Sequence, residues 1–186
     1  ARSARAVGAP ARARVAGGMP AGDRVGIWAP NCAEWTMVQY ATAKMGAILV
    51  NINPAYRTHE LEYVLNQAGT RMVIAATSFK TSDYAGMLEE VRGAVPALEQ
   101  VVLIGTSSWE DLLAGADRVS SAQLAEIQAS LHNTDPINTQ YTSGTTGFPK
   151  SATPSNRNNL HHGFVVGTLC RNTATTRVHS PRALLP

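Results

Sequence analysis

Residues 137–150 read INTQYTSGTTGFPK, and this stretch decides which fold the chain can adopt. Residues 137–142 have the composition of a short strand. Four of the ten residues from Tyr141 to Lys150 are serine or threonine, and two glycines and a proline stand among the others. The glycines and the proline exclude a helix interior, and the polar composition excludes a core strand. A loop of this kind directly after a strand offers backbone N–H groups and hydroxyls to a ligand rich in negative oxygens. The stretch therefore predicts a strand that ends in a polyphosphate-binding loop.

Short apolar runs alternate with amphipathic stretches upstream of this loop. The runs predict strands at residues 24–29, 48–52, 72–76 and 100–104, and the stretch INTQYT predicts a further strand at 137–142. Between them, apolar residues recur at helical spacing, and capping residues predict helix starts at Asn31, Thr58, Ser107 and Ser120, with another helix at about 82–92. Apolar strands separated by amphipathic helices indicate an α/β fold with a parallel βαβ sheet and helices on both faces. Ligands of such sheets bind at the carboxyl ends of strands, where this loop lies.

Composition excludes several classes of protein. The chain has 186 residues, of which 44% are hydrophobic, yet no apolar run approaches the roughly 18 to 20 residues that span a bilayer. Its two cysteines, Cys32 and Cys170, are too few for a disulfide framework. We therefore expect reduced thiols, no transmembrane segment and a cytoplasmic location.

The charge is distributed unevenly along the chain. The net charge is +3, but all thirteen acidic residues lie between Asp23 and Asp135 and both ends are basic. Residues 1–22 are interpreted as a disordered basic lead-in, although their Arg/Ala composition superficially resembles a transit peptide. Residues 23–150 form the predicted α/β subdomain, and residues 151–186 are expected to be irregular apart from a helix at about 158–170. Basic ends can bind nucleic acid, but without interleaved aromatic residues we do not expect it.

Two kinds of phosphate loop agree with parts of the stretch. The pattern G-x-x-x-x-G-K-[ST] requires a glycine where Pro149 stands, and proline lacks the N–H that this loop uses. The order TSGTTG followed by Pro149 and Lys150 instead resembles the signature of the adenylate-forming enzymes. The segments GDRVGIWAPNCAEW, ILVNINPAYR and HELEYVLNQAG are similar to the N-terminal domain of medium- and long-chain fatty-acyl-CoA ligases.

The resemblance implies a two-step reaction and a set of ligands. A fatty carboxylate would react with ATP and Mg²⁺ to give an acyl-adenylate and pyrophosphate, and coenzyme A would then take the acyl group. In this family the loop holds the β- and γ-phosphates. The residues that it assigns here to nucleotide binding are Thr142, Ser143, Gly144, Thr145, Thr146, Gly147 and Lys150.

The chain also departs from the family pattern. Ser151 follows Lys150 where the family has glycine, and the family's motifs for adenine, ribose and the lid-domain lysine do not occur. We therefore expect an N-terminal fragment without a complete set of catalytic residues, inactive by itself. The alternatives are a catalytically dead nucleotide-binding or regulatory module and, less favoured, a nucleic-acid binder. His161 and His162 have no third ligand at a useful spacing, so we predict no metal site.

Overall fold

The computed structural model describes residues 21–115, 120–142, 149–173 and 175–177. The basic lead-in predicted at 1–22 therefore lies outside the described residues except for its last two positions.

A six-stranded sheet in the order β6-β3-β1-β2-β7-β8 organises the chain. Its strands are β1 (Arg24–Trp28), β2 (Ile48–Asn51), β3 (Met72–Ala75), β6 (Gln100–Leu103), β7 (Asn138–Thr142) and β8 (Lys150–Ala152), and a separate hairpin pairs β4 (Ser78–Phe79) with β5 (Ser82–Asp83). The first five strands of the sheet pair in parallel, and β8 runs antiparallel to β7. The parallel sheet predicted from the apolar runs is confirmed, and the sequence did not predict β8.

Six α-helices connect or follow these strands in the described part of the chain: α1 (Ala33–Met45), α2 (Thr58–Ala68), α3 (Tyr84–Val91), α4 (Ser107–Ala114), α5 (Ser121–Ser130) and α6 (Asn156–Leu169). Ser120 caps α5 as predicted, because its hydroxyl accepts from the Gln123 N–H at 3.2 Å and the Gln123 side chain accepts from the Ser120 N–H at 2.8 Å. Helices α2 and α4 begin at the predicted Thr58 and Ser107, but their N-caps are the preceding residues, Arg57 and Thr106. The N-cap of α1 is Cys32, one residue after the predicted Asn31.

Helices cover both faces of the sheet, as predicted. Side chains alternate along each strand, so neighbouring residues enter different cores. On the side that we call the α1 face, α1 and α4 pack on one buried cluster that contains Trp35, Trp109 and alternate strand residues such as Leu49. On the opposite α2 face, α2 and α3 cover a second cluster that includes Val50 and Leu61. Burial on both faces explains why β1, β2 and β3 read as nearly continuous apolar runs.

The segment after Lys150 is more regular than the sequence indicated. Helix α6 begins two residues before the helix predicted at about 158–170, and it contains no buried residue. Leu160, Phe164 and Leu169 are between 70% and 78% exposed, so this helix presents large apolar side chains to solvent. Among the described residues, no helix combines the length and apolar character that crossing a bilayer requires.

Two glycines that end helices allow a matched test of backbone strain and crowding. Gly46 after α1 and Gly69 after α2 both have left-handed backbone angles, φ +72° and +63°. A β-carbon at Gly69 would meet nothing within 4 Å, whereas one at Gly46 would lie 2.5 Å from a methyl of Leu131. Gly69→Ala therefore adds backbone strain alone, whereas Gly46→Ala adds backbone strain and a steric overlap with the Leu131 methyl.

We expect Gly69→Ala to lower the free energy of unfolding by about 1 kcal/mol. Gly46→Ala should cost about 1 kcal/mol more, near the low end of overpacking because the Leu131 methyl ends a flexible side chain. Urea denaturation of both variants measures the difference. Equal losses would show that Leu131 moves aside without cost.

Candidate functional site

The sheet order brings the carboxyl ends of β2 and β7 side by side. The two strands pair in parallel with Asn51 opposite Gln140. The segment that follows β2, residues 53–57, therefore leaves the sheet beside the end of β7, where Thr142 lies. This edge is where parallel sheets bind ligands, because loops from neighbouring strands meet there.

Thr142 and Lys150 lie directly opposite each other at the base of the glycine-rich stretch. They are paired in the antiparallel register of β7 and β8, and the Thr142 hydroxyl donates to the Lys150 carbonyl at 3.4 Å. Opposed residues of an antiparallel pair project to the same face, with their β-carbons about 5 Å apart. Both residues are exposed, whereas Pro149 between them is buried. The structure thus pairs the residues at the two ends of the predicted loop, one with a hydroxyl and the other with an ammonium group on its side chain.

The remaining predicted site residues lie outside the described part of the chain. They are Ser143, Gly144, Thr145, Thr146 and Gly147. Their assignment to the phosphates therefore stays a prediction.

Tyr141 fixes the end of β7 against the α2 face. Its ring packs with the α2-face cluster, and its hydroxyl donates to the Val64 carbonyl of α2 at 3.3 Å. Burial raises the pKa of Tyr141 to about 12, and the nearby Tyr63 and Tyr56 add to the effect. The phenol therefore stays neutral at physiological pH and acts as a donor to the backbone. This anchor sets the position of Thr142, the next residue.

The segment at residues 53–57 is held by two aromatic residues from other parts of the fold. Trp28 donates its ring N–H to the Asn53 carbonyl at 3.1 Å, and Tyr84 donates its hydroxyl to the Pro54 carbonyl at 2.6 Å. The two rings stack with centroids 3.7 Å apart and planes 11° from parallel. Burial raises the pKa of Tyr84 to about 12, so its hydroxyl remains a donor.

Polar contacts fix the same segment from within and from the β4–β5 hairpin. The Asn53 side chain accepts from the Ala55 N–H at 2.9 Å, and the Arg57 guanidinium donates to the Ser82 hydroxyl at 2.7 Å. Sequence reasoning did not assign this segment to the site. The signal that could have found it is the dipeptide Asn53-Pro54, which is typical of a turn and stands directly after a predicted strand.

Within the described part of the chain, no ion pair neutralises the positive charge of Lys150, so this charge is available to a ligand. The ion pairs found in that part are made by Arg71 and Arg92, and none involves Lys150. An exposed ammonium group next to a threonine hydroxyl can bind the oxygens of an anion. Within the described ranges, no three histidine, cysteine or acidic side chains come close enough together to hold a metal ion.

Comparison with known proteins gives the same family by sequence and by structure. The family model described as AMP-binding enzyme matches residues 5–182. Medium-chain acyl-CoA ligase ACSF2, mitochondrial, from Mus musculus is 40% identical over 169 residues, which are 81% of this chain and 28% of the relative. Putative acyl-CoA synthetase YngI from Bacillus subtilis (strain 168) is 34% identical over 183 residues, 88% of this chain and 33% of the relative.

Solved structures show the same fold. The anthranilate CoA ligase AuaEII, in complex with anthranoyl-AMP, superposes with a TM-score of 0.75 and 26% identity, covering 89% of this chain and 30% of that one. VinN in complex with 3-methylaspartate has a TM-score of 0.75 at 23% identity, over 92% of this chain and 44% of that one, and supports the fold alone. The chain spans about a third or less of the curated relatives described above. Because the family model matches residues 5–182, nearly the whole chain, the chain belongs to the AMP-binding enzyme family.

Proposed function

We propose that this chain forms the phosphate-binding part of an AMP-forming acyl-CoA ligase. The observation that carries the proposal is the pairing of Thr142 with Lys150 at the carboxyl edge of the parallel sheet in a member of the AMP-binding enzyme family. The nucleotide-binding residues that we assign are the seven predicted from the sequence, of which these two are described.

The reaction explains why a hydroxyl and an ammonium group stand there. A carboxylate oxygen attacks the α-phosphorus of ATP, the bond to the bridging oxygen breaks, and pyrophosphate leaves with the electron pair. The thiol of coenzyme A then attacks the acyl carbon and releases AMP. The Lys150 ammonium would neutralise charge on the leaving pyrophosphate, and the Thr142 hydroxyl would donate to it in place of the Lys150 carbonyl. Fixed donors and cations have their largest effect on rate at such a position. Mg²⁺ would be held by phosphate oxygens, and we assign no described residue of this chain to it.

The acid that we propose is a medium- or long-chain fatty acid. The name of ACSF2 specifies a medium-chain acyl substrate, and YngI is named as an acyl-CoA synthetase. A cytoplasmic location stays a prediction. The word mitochondrial in the ACSF2 name supplies the alternative, and imaging of a tagged protein would distinguish the two.

Exchange of labelled pyrophosphate into ATP tests the proposal. We expect no exchange by this chain alone with any fatty acid, because it carries only part of the site. A chimera in which this chain replaces the matching region of YngI should catalyse exchange that depends on a fatty acid. Circular dichroism and thermal melting establish that the chimera folds.

The same chimera distinguishes the alternative function. A folded chimera that binds ATP saturably without exchange would favour a catalytically dead nucleotide-binding or regulatory module. Exchange by the unmodified chain alone would contradict our view that its catalytic set is incomplete.

A further inference from the structure

Strand β8 carries Lys150, and its own burial does not select the register in which it pairs with β7. Its three residues are exposed, and a strand without a buried face can pair in more than one register. The observed register places Lys150 opposite Thr142, with both side chains on one face of the sheet. A slip of one residue would turn the Lys150 side chain to the other face, away from Thr142.

The backbone just outside the two strands already follows the slipped register. Pro136 is bridged to Ser155, whereas the register of β7 and β8, continued outward, would pair Pro136 with Asn156. Carried into the strands, this alternative would place Lys150 opposite Tyr141, whose ring packs with the α2-face cluster. The contacts that follow β8 therefore do not by themselves hold the observed register.

A pair of threonine hydroxyls lies at the end of the observed register. The side-chain oxygens of Thr139 and Thr153 are 3.2 Å apart, and either can be the donor. The two residues form the next opposed pair after Gln140 and Ala152. Thr139 is 7% exposed, so the bond is partly shielded from water. In the slipped register Thr139 would stand opposite Ala152, which has no hydroxyl, and this bond therefore favours the observed register.

A second side-chain bond across the described part of the two strands is given up when a phosphate binds. It joins the Thr142 hydroxyl to the Lys150 carbonyl at 3.4 Å, and a phosphate oxygen that takes the hydroxyl replaces it. The bond between Thr139 and Thr153 then remains to distinguish the two registers. It lies three residues, or about 10 Å, from Thr142 along β7, so the same phosphate leaves it intact.

We propose that Thr153 is a positioning residue for the phosphate site, acting through its hydroxyl bond to Thr139. The bond holds β8 in the register that puts the side chains of Lys150 and Thr142 on one face. Thr153 thus acts through Lys150 and needs no contact with the pyrophosphate. The inference rests on the proposed function, because it assigns to Thr153 a part in pyrophosphate binding at that site.

Titration calorimetry of inorganic pyrophosphate into the full 186-residue chain tests this role. Thr153→Val keeps the shape of the side chain and removes the hydroxyl. We expect binding to weaken by about three- to fivefold, up to the effect of one neutral hydrogen bond. Because Thr153 is exposed, the variant should fold. Thr153→Ser keeps the hydroxyl and should bind pyrophosphate as the original chain does.

A cross-strand disulfide fixes the register without the hydroxyl pair. Gln140 and Ala152 are opposed, and the α-carbons of such pairs are about 4.5–5.5 Å apart, within the range that a disulfide spans. Added to Thr153→Val, the changes Gln140→Cys and Ala152→Cys should restore the affinity when oxidised and leave it low when reduced. Peptide mapping confirms the intended bond, because the chain also contains Cys32 and Cys170.

Thr106→Val is the matched control, since its hydroxyl donates to the Leu103 carbonyl at 2.8 Å beside β6, at the other edge of the sheet. It should leave the pyrophosphate affinity unchanged. Equal weakening by Thr106→Val, no recovery in the oxidised variant, or full affinity in Thr153→Val would overturn the inference. If that full affinity still depends on Lys150, the proposed function stands without it. If the original chain does not bind pyrophosphate, or Lys150→Ala binds it equally well, the proposed function fails and this inference fails with it.

Discussion

Tyr84→Ala is expected to lower the free energy of unfolding by about 3–5 kcal/mol, the range for removing a buried aromatic side chain. Tyr84 is fully buried, its ring stacks on Trp28, and its hydroxyl donates to the Pro54 carbonyl. Truncation removes the ring from the α2-face core and leaves a cavity beside Trp28. Chemical denaturation followed by circular dichroism measures the loss.

Tyr84→Phe separates packing from hydrogen bonding. It keeps the stacked ring and removes only the hydroxyl, so the expected loss is about 1 kcal/mol. In the alanine variant the segment at residues 53–57 should also open more often, because one of its two aromatic anchors is gone. Hydrogen exchange at the Ala55 N–H, which donates to the Asn53 side chain, reports this opening. If alanine and phenylalanine cost the same, the stacked ring contributes nothing beyond its hydroxyl.

The sheet could be predicted because its strand–helix units repeat one sequence pattern, an apolar run followed by apolar residues at helical spacing. β1, β2 and β3 are buried on both faces, and this produces apolar runs that alternate with helical patterns. The start of α5 was equally predictable, since Ser120 and Gln123 satisfy each other's backbone N–H groups locally. The N-caps of α1, α2 and α4 were not, although α2 and α4 begin at the predicted Thr58 and Ser107. The N-cap of α2 is Arg57, whose N–H donates to the Glu60 carboxylate at 3.1 Å, and Thr58 is already helical.

The candidate site was predicted in composition and only partly in geometry. Sequence spacing placed Thr142 and Lys150 at the two ends of one loop, but their antiparallel pairing depends on β8, whose three exposed residues give no apolar pattern. The Trp28 ring N–H bonds to the Asn53 carbonyl, 25 positions along the chain, a relation that local patterns do not encode.

Lys150→Ala is expected to weaken the binding of inorganic pyrophosphate and MgATP to this chain by roughly ten- to a hundredfold. That range corresponds to about 1.5–3 kcal/mol, the contribution of a hydrogen bond that involves a charged group. Lys150 is exposed opposite Thr142, and no described acidic side chain is ion-paired with it, so a phosphate oxygen can approach its ammonium group without displacing a partner. Isothermal titration calorimetry at fixed ionic strength gives both dissociation constants.

Arg157→Ala is the matched control, because it removes the same charge from an exposed position on α6 that we do not assign to the phosphates. If Lys150 acts through a defined contact, Arg157→Ala should change the affinity by less than about twofold, which is the size expected for screened surface charge. Lys150→Arg should retain part of the affinity, since it keeps the charge but not the compact ammonium group. Equal weakening by Lys150→Ala and Arg157→Ala would mean that pyrophosphate responds only to the general positive charge of this end of the chain. The pairing of Thr142 with Lys150 would then be a structural feature of strands β7 and β8 without a role in binding, and the phosphate-site assignment would be wrong.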